Sequence, residues 1–323
     1  MNGIRIESPG MLTTLQDAGR IGTQKYGVSP AGPMDERSFA IANLLVGAPE
    51  DSCLLEATCM GPKLMIGSET VLAVTGGDLS PAINGNPIPM YQAIRAHAGD
   101  ELSLGTVHGA GSRSYIAFAG GLNAPVIMGS RATLMRNHIG GLHGTSLKSG
   151  DEVEFLNPEA WHEISDISKR SIEAERFDQN ECVLRVVPGP QASEFTRKGF
   201  RHFFWYPFTI SEQFDRMGCR LRREEAVEHL GDGNIITDGI AFGSIQVPPN
   251  GQPIIMLADR QSTGGYAKIG TVISVDIPKL VQCMPGATVR FIEVDVDLAQ
   301  TLYIRQKQRL NELQKLWKGS NHY

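Results

Sequence analysis

Polar side chains of catalytic type stand inside glycine-rich stretches at five places in this sequence. Gln16-Asp17-Ala18-Gly19-Arg20 runs on to Gly27-Val28-Ser29-Pro30-Ala31-Gly32-Pro33-Met34-Asp35. Thr75-Gly76-Gly77-Asp78 is followed by Asn84-Gly85. Gly111-Ser112-Arg113-Ser114-Tyr115 leads to Gly129-Ser130-Arg131. Asp215-Arg216-Met217-Gly218 is the fourth. In the fifth and densest, Asp238-Gly239 and Gln246-Val247-Pro248 precede Asp259-Arg260-Gln261-Ser262-Thr263-Gly264-Gly265-Tyr266-Ala267-Lys268. Glycine permits positive φ and lets backbone amides approach a ligand. Successive amides in such a turn make a nest for an anion. A turn at Gly264-Gly265 would fold the chain back and bring Asp259 and Lys268 to one ligand. A carboxylate could then move a proton while an ammonium neutralises charge. The competing reading is a set of tight β-turns whose Asp and Asn side chains bond their own backbone. The number of such segments favours a polar pocket gathering residues 16–35, 75–85, 129–133 and 259–268.

Holding turns so distant in sequence together calls for a scaffold of strands. Alternating apolar runs at 71–74, 93–96, 114–118, 183–187, 254–257, 271–275 and 288–292 are each closed by Gly, Pro, Asn or Asp. That spacing predicts an all-β sandwich or barrel. A turn followed by an alternating strand recurs at 99–104, 150–155 and 286–291, which points to two related β modules. The stretch 157–181 turns charged and reads as a linker or surface excursion. The expected layout is a first β subdomain over 1–160, the charged segment over 161–181, a second β subdomain over 182–296 and a C-terminal helix over 297–323.

Helices are few, because 36 Gly and 18 Pro disfavour helix interiors. Asp35 is placed to cap a helix over 36–46, with Gly47 as its stop and Phe39, Ala42 and Val46 on one face. A short helix is expected over 277–283. Asp297 and Gln300 have capping-box spacing before a run, 298–318, that is free of Gly and Pro until Gly319. Leu302, Leu310, Leu313 and Trp317 give that helix an apolar stripe, and Arg305, Lys307, Arg309 and Lys315 a basic, solvated face.

Composition narrows the function. The chain has 323 residues, 30 Lys+Arg against 35 Asp+Glu, and a net charge of −5. A nucleic-acid binder would concentrate basic residues on one face, and no partner of that kind is expected. Five cysteines without a CxxC argue against a disulfide framework or a zinc site. His138 and His143 read as loop histidines, so no metal is expected. The first residues, Met1-Asn2-Gly3-Ile4-Arg5, lack the apolar core of a signal peptide. The longest uncharged stretch, 239–258, is broken by Pro248, Pro249, Gly251 and Pro253, which excludes a membrane helix. A cytoplasmic protein with no membrane partner is the expectation. Walker A, HExxH, GxSxG and biotin-attachment sequences are missing.

The run 16–20 with Gly32-Pro33-Met34-Asp35 resembles the opening motif of the KipA / allophanate hydrolase subunit 2 family, the PxpC components of 5-oxoprolinases. Thr75-Gly76 with Asn84-Gly85, Gly129-Ser130-Arg131, Asp215-Arg216-Met217-Gly218, Ile245-Gln246-Val247-Pro248 and 259–269 match that family in order, from about Ile4 to Phe291. Ala31, Phe214, Asp238 and Ala267 stand where the family often carries Ser, Ser, Glu and Pro. The resemblance implies a mainly β fold of two cyclophilin-like β-barrel subdomains. It also implies a composite enzyme, active with a PxpB/KipI-like and a PxpA-like subunit, that hydrolyses the cyclic amide 5-oxoproline to glutamate using ATP.

In that setting Arg20, Arg131 and Lys268 are candidates for charge stabilisation and Asp259 for the base or orienter. Asn84, Gln246, Tyr266, Gln261, Gly264 and Gly265 are candidates for substrate contact. Arg113, Asp35, Asp17 and Asp215 are as readily structural. The ATP site is not located by motif and would be shared with a partner. Two alternatives stay open. One is a biotin-dependent carboxyltransferase half-site like that of urea carboxylase, with biotin carried by another protein. The other is a KipA-like regulator that binds a KipI-like kinase inhibitor.

Overall fold

A computed structural model describes residues 1–109, 111–178 and 180–318, and the expected helix stop Gly319 lies outside them. The chain forms two compact units. The first comprises residues 1–21, 31–177 and the last turns of the C-terminal helix from 308; the second comprises residues 22–30 and 178–307.

The first unit is built on two antiparallel sheets. One has six strands in the order Glu152–Glu154, Gly3–Ser8, Lys63–Ile66, Glu101–Ser103, Ala82–Ile83 and Asn86–Pro87. The other has five, in the order Leu12–Gln16, Leu54–Thr58, Arg113–Phe118, Thr70–Gly76 and Ile94–Ala96. Strand side chains alternate between faces, and this divides the apolar residues into two layers. Ile4, Ile6, Leu64 and Ile66 from the first sheet share a core with Leu15, Leu55, Leu72, Val74 and Phe118 from the second. The opposite face of the five-stranded sheet, with Leu54, Val71, Ala73, Tyr115 and Ala117, packs with Phe39, Ile41, Leu44 and Leu45 of helix α1, Glu36–Leu45. Asp35 caps α1 by accepting from the Ser38 amide at 2.9 Å. The expected amphipathic helix is instead buried on nearly every side, from Ser38 to Leu45.

The charged stretch packs on this unit. Trp161, Ile164, Ile167 and Ile172 lie against the second core layer. Arg170, 6% exposed, donates to the carbonyls of Leu44, Leu45 and Trp317. Those carbonyls close two helices, where a cation offsets the negative end of the helix dipole.

The second unit contains a closed barrel. Its seven strands run in ring order Glu181–Pro188, Thr288–Glu293, Phe208–Phe214, Gly218–Arg222, Ile254–Met256, Ser244–Val247 and Thr263–Val272, which returns to the first. Asn234–Gly239 adds an eighth strand outside the ring. Alternate residues (Leu184, Val186, Cys219, Leu221, Ile245, Val247, Ile255, Ala267, Ile269) are fully buried or nearly so. Helix α2, Arg197–Trp205, was not legible in the sequence. Thr196 caps it by accepting from the Gly199 amide, and Phe203 stacks on Phe291 with ring centroids 4.4 Å apart.

The run expected as a strand over 271–275 ends at Val272 and turns into helix α3, Ile277–Val281. Pro278 in the first turn favours that helix start, and Asp276 anchors it. Arg185 grips Asp276 with Nε at 2.7 Å and Nη2 at 2.6 Å, and Lys279 Nζ adds a third contact at 2.7 Å. Burial alone would raise this carboxyl, but Arg185 and Lys279 together hold it below its ordinary range. A carboxylate depressed in the folded state stabilises above its unfolded pKa of about 4 and loses that contribution as pH falls through the folded value. The stability advantage of the native chain over Asp276→Asn should therefore be full at neutral pH and shrink below about pH 4, measured by urea melts across pH.

The C-terminal helix α4 runs Val296–Lys318. Its start is set by Asp295, whose Oδ1 accepts from the Leu298 amide at 2.8 Å, and not by the expected Asp297–Gln300 box. Leu310 and Trp317 are buried, Leu302 and Leu313 half-buried. Among the described residues no helix is long and apolar enough to cross a membrane.

Candidate functional site

In the first unit the motif residues knit loops together. The Asp17 carboxylate accepts from the amides of Gly19 and Arg131 and from the Ser130 hydroxyl. Arg20 is fully buried and donates from Nε to the Ile127 carbonyl at 3.1 Å and from Nη2 to the Ala132 carbonyl at 2.6 Å. Its cation braces the loop 127–132 from a fully buried position, where charge stabilisation had been expected. Arg131 lies half-buried in the same cluster, its Nε buried without a hydrogen-bond partner.

Asn84 is also reassigned. It sits exposed at φ +51°, with Gly85 at +77°, in the two-residue turn joining Ala82–Ile83 to Asn86–Pro87. Positive φ at both positions is what such a hairpin turn requires. The Asn84 carboxamide is used by Asp100 and the Glu101 amide. A buried network completes this unit. The Met34 amide and Tyr115 hydroxyl donate to Glu56 Oε2 at 2.8 and 2.9 Å, and the Asp35 amide donates to the Tyr115 oxygen. Burial pushes the Tyr115 phenol well up, with the Glu56 and Asp35 carboxylates adding to it, so it is held as a neutral donor.

In the second unit the expected Gly264-Gly265 turn does not exist. Both glycines lie in the continuous strand Thr263–Val272. Asp259 and Lys268 therefore take separate partners. Asp259, 3% exposed, is clamped by Arg216, 3% exposed, through Nε–Oδ2 at 3.1 Å and Nη2–Oδ1 at 2.9 Å. A carboxylate held at both oxygens inside the protein fits a structural partner of Arg216 better than the expected base. Lys268, 4% exposed, reaches outward to Asp238 at 2.8 Å. Lys268 is in turn the main reason that the Asp238 carboxyl lies below its ordinary range. The shorter side chain at 238 thus still reaches the ammonium. Arg260 donates to the carbonyls of Ile240 and Leu257 and to Gln24 Oε1, and its own carbonyl accepts from the Ser29 hydroxyl. These bonds fasten residues 22–30 to this unit.

Three of the expected substrate contacts do come together. Gln246, Gln261 and Tyr266 line a cleft of about 460 Å³ with Ile254, Met256, Arg220, Glu212 and residues 213–215, 217 and 218. The strand register explains why. Gly218 pairs with Met256, Arg220 with Ile254, and Ile254 with Gln246. Side chains directly opposite on adjacent strands share a face, so these residues form one patch on the side of the barrel wall away from Ile255, Cys219 and Ile245. Gln246 is 2% exposed, yet its Nε2 has no hydrogen-bond partner among the described residues. A Cβ on Gly264 would stand 2.6 Å from that Nε2, so glycine at 264 leaves the room the carboxamide occupies. Gly265 has ordinary space around it. A buried donor left bare costs free energy unless a ligand acceptor completes it. Arg220 escaped the sequence reading; only the alternation Gly218-Cys219-Arg220 hinted that it shares a face with the glycine of the motif. Among the described residues no group of three His, Cys, Asp or Glu side chains is placed to hold a metal.

Comparison with known proteins bears out the resemblance read from the motifs. Residues 26–293 match the family described as carboxyltransferase domain, subdomain A and B. The 5-oxoprolinase C subunit of Escherichia coli is 33% identical over 322 residues, covering 98% of this chain and 99% of that protein. The 5-oxoprolinase C subunit of Haemophilus influenzae is 30% identical, covering 94% of this chain and 95% of its own length. The crystal structure of Kluyveromyces lactis urea carboxylase superposes with a TM-score of 0.88 at 29% identity over 97% of this chain, but this chain spans only 29% of that one. The chain therefore belongs to the carboxyltransferase family of subdomains A and B, the group that includes the bacterial 5-oxoprolinase C subunits.

Proposed function

We propose that this chain is the C subunit of an ATP-dependent 5-oxoprolinase, which opens 5-oxo-L-proline to L-glutamate with PxpA- and PxpB-like partners. The observation that carries this reading is the end-to-end match to the bacterial C subunits, set against a match to less than a third of urea carboxylase. The chemistry is consistent with the cleft. A lactam carbonyl is a poor electrophile. Transfer of the γ-phosphoryl of ATP to its oxygen releases ADP; water then adds to the carbon and the C–N bond breaks to leave an acyl phosphate, which a second water hydrolyses to glutamate and phosphate. The cleft's lining has one arginine, two acids and no run of backbone amides from a glycine-rich loop, so its residues do not fit a triphosphate. The phosphoryl donor belongs to the partners. This chain holds the ring: Gln246 Nε2 donates to the carbonyl oxygen, and Gln261 and Tyr266 offer hydrogen bonds at the ring edge.

A second reading keeps the same cleft for biotin's cyclic ureido group in a carboxyltransferase, which the family description favours. Co-purification separates the two. A tagged chain should capture PxpA- and PxpB-like proteins and should release no glutamate by itself. Substantial ATP-dependent hydrolysis by the single chain, or capture of a biotinylated carrier in their place, would overturn the proposal.

A further inference from the structure

We propose that Arg220 selects the substrate's carboxylate, so that the cleft takes five-membered cyclic amides bearing an acid on the ring and rejects uncharged ones. This rests on the reading above and deepens it. Arg220, Ile254 and Gln246 occupy one row across three adjacent strands. Neighbouring strands lie about 4.8 Å apart, which puts the backbones of Arg220 and Gln246 about 10 Å apart. Their side chains rise from the same face with the flat apolar Ile254 between them. An acceptor-seeking amide at one end, a hydrocarbon floor and a guanidinium at the other match a small ring with a carbonyl on one side and a carboxylate on the other.

Arg220 is exposed in the cleft and makes no ion pair or side-chain hydrogen bond among the described residues. The two acids of the lining leave it available. One oxygen of Asp215 already accepts from the amides of Met217 and Gly218, and Glu212 is exposed and not bonded to Arg220. The other cation of the row, Lys268, is held by Asp238. Arg220 is thus the cation that a substrate carboxylate can meet, and its planar fork suits that group bidentately.

The test uses the reconstituted complex with two substrates, 5-oxo-L-proline and its primary amide, which has the same ring without the charge. The native complex should prefer the acid by about 10²-fold in kcat/KM, the discrimination a charge-assisted contact supplies. Arg220→Gln should erase most of that preference by raising KM for the acid, leave the amide within about threefold, and keep the melting temperature. Arg220→Lys should restore part of it. If the native complex hydrolyses the acid well and Arg220→Gln keeps the preference, or loses both substrates alike, the role of Arg220 is overturned while the enzymatic reading stands. If the native complex opens neither ring, the enzymatic reading fails and this inference with it.

Discussion

Truncating Asp259 to alanine should destabilise the fold strongly. Both partners of the Arg216–Asp259 pair are at least 96% buried by side chain. Removing the carboxylate breaks both of its hydrogen bonds to the Arg216 guanidinium inside the barrel unit. Breaking a buried pair on one side costs about 3–5 kcal/mol, because the remaining ion keeps its desolvation penalty. Total stabilities are only about 5–15 kcal/mol, so the loss would show as a large drop in urea midpoint. Replacing both partners by apolar residues of similar size, Arg216→Met with Asp259→Leu, should recover most of the stability, since no lone charge is left. The set is read by equilibrium urea melts. A near-native melt for Asp259→Asn, combined with a turnover loss of about 10²–10⁴-fold, is the behaviour of a general base and would contradict the structural assignment.

Gln246→Leu should do the opposite: leave the fold intact and remove activity. The Nε2 of Gln246 is buried with no hydrogen-bond partner among the described residues, so leucine removes a bare polar group and breaks no hydrogen bond from it there. Melting temperature should hold or rise slightly. If the amide donates to the carbonyl oxygen as charge develops there, its loss should lower kcat/KM of the reconstituted complex by about 10²–10³-fold, the usual weight of one oxyanion donor. Unchanged kinetics would remove Gln246 from the site, and a collapsed melt would mark it as structural.

These contrasts show what a sequence carries and what it does not. Alternation and turn residues identified most of the strands, because a period of two is written directly into a half-buried sheet. Three strands of the buried five-stranded sheet were legible, since runs such as Val71–Val74 and Ser114–Phe118 are bounded by turn signals, while Leu12–Gln16 and Leu54–Thr58 were not among the runs read. Helix α2 escaped because its run, Arg197 to Trp205, carries basic and aromatic residues and its burial rests on few side chains, Gly199 and Phe203. At the site, residue types were legible but partnerships were not. Gly264-Gly265 has the composition of a turn, yet it serves as a gap in a strand where Gln246 lies. Asp259 looks catalytic until Arg216, 43 positions away, is seen to clamp it. Asn84-Gly85 is a hairpin turn whose dipeptide says so, and its place in a family motif drew attention to ligand binding instead. Register between strands decides which side chains share a face, and no local pattern encodes it for Arg220, Ile254 and Gln246.

Glutamate release from 5-oxo-L-proline decides whether this chain is a 5-oxoprolinase subunit. The purified chain is combined with PxpA- and PxpB-like proteins, with and without ATP, and glutamate is measured against ADP formed. Release is expected only when all three proteins and ATP are present, one ADP per glutamate. A stable three-protein complex that hydrolyses ATP but yields no glutamate, or that instead transfers a carboxyl group to or from a biotinylated carrier, would contradict it.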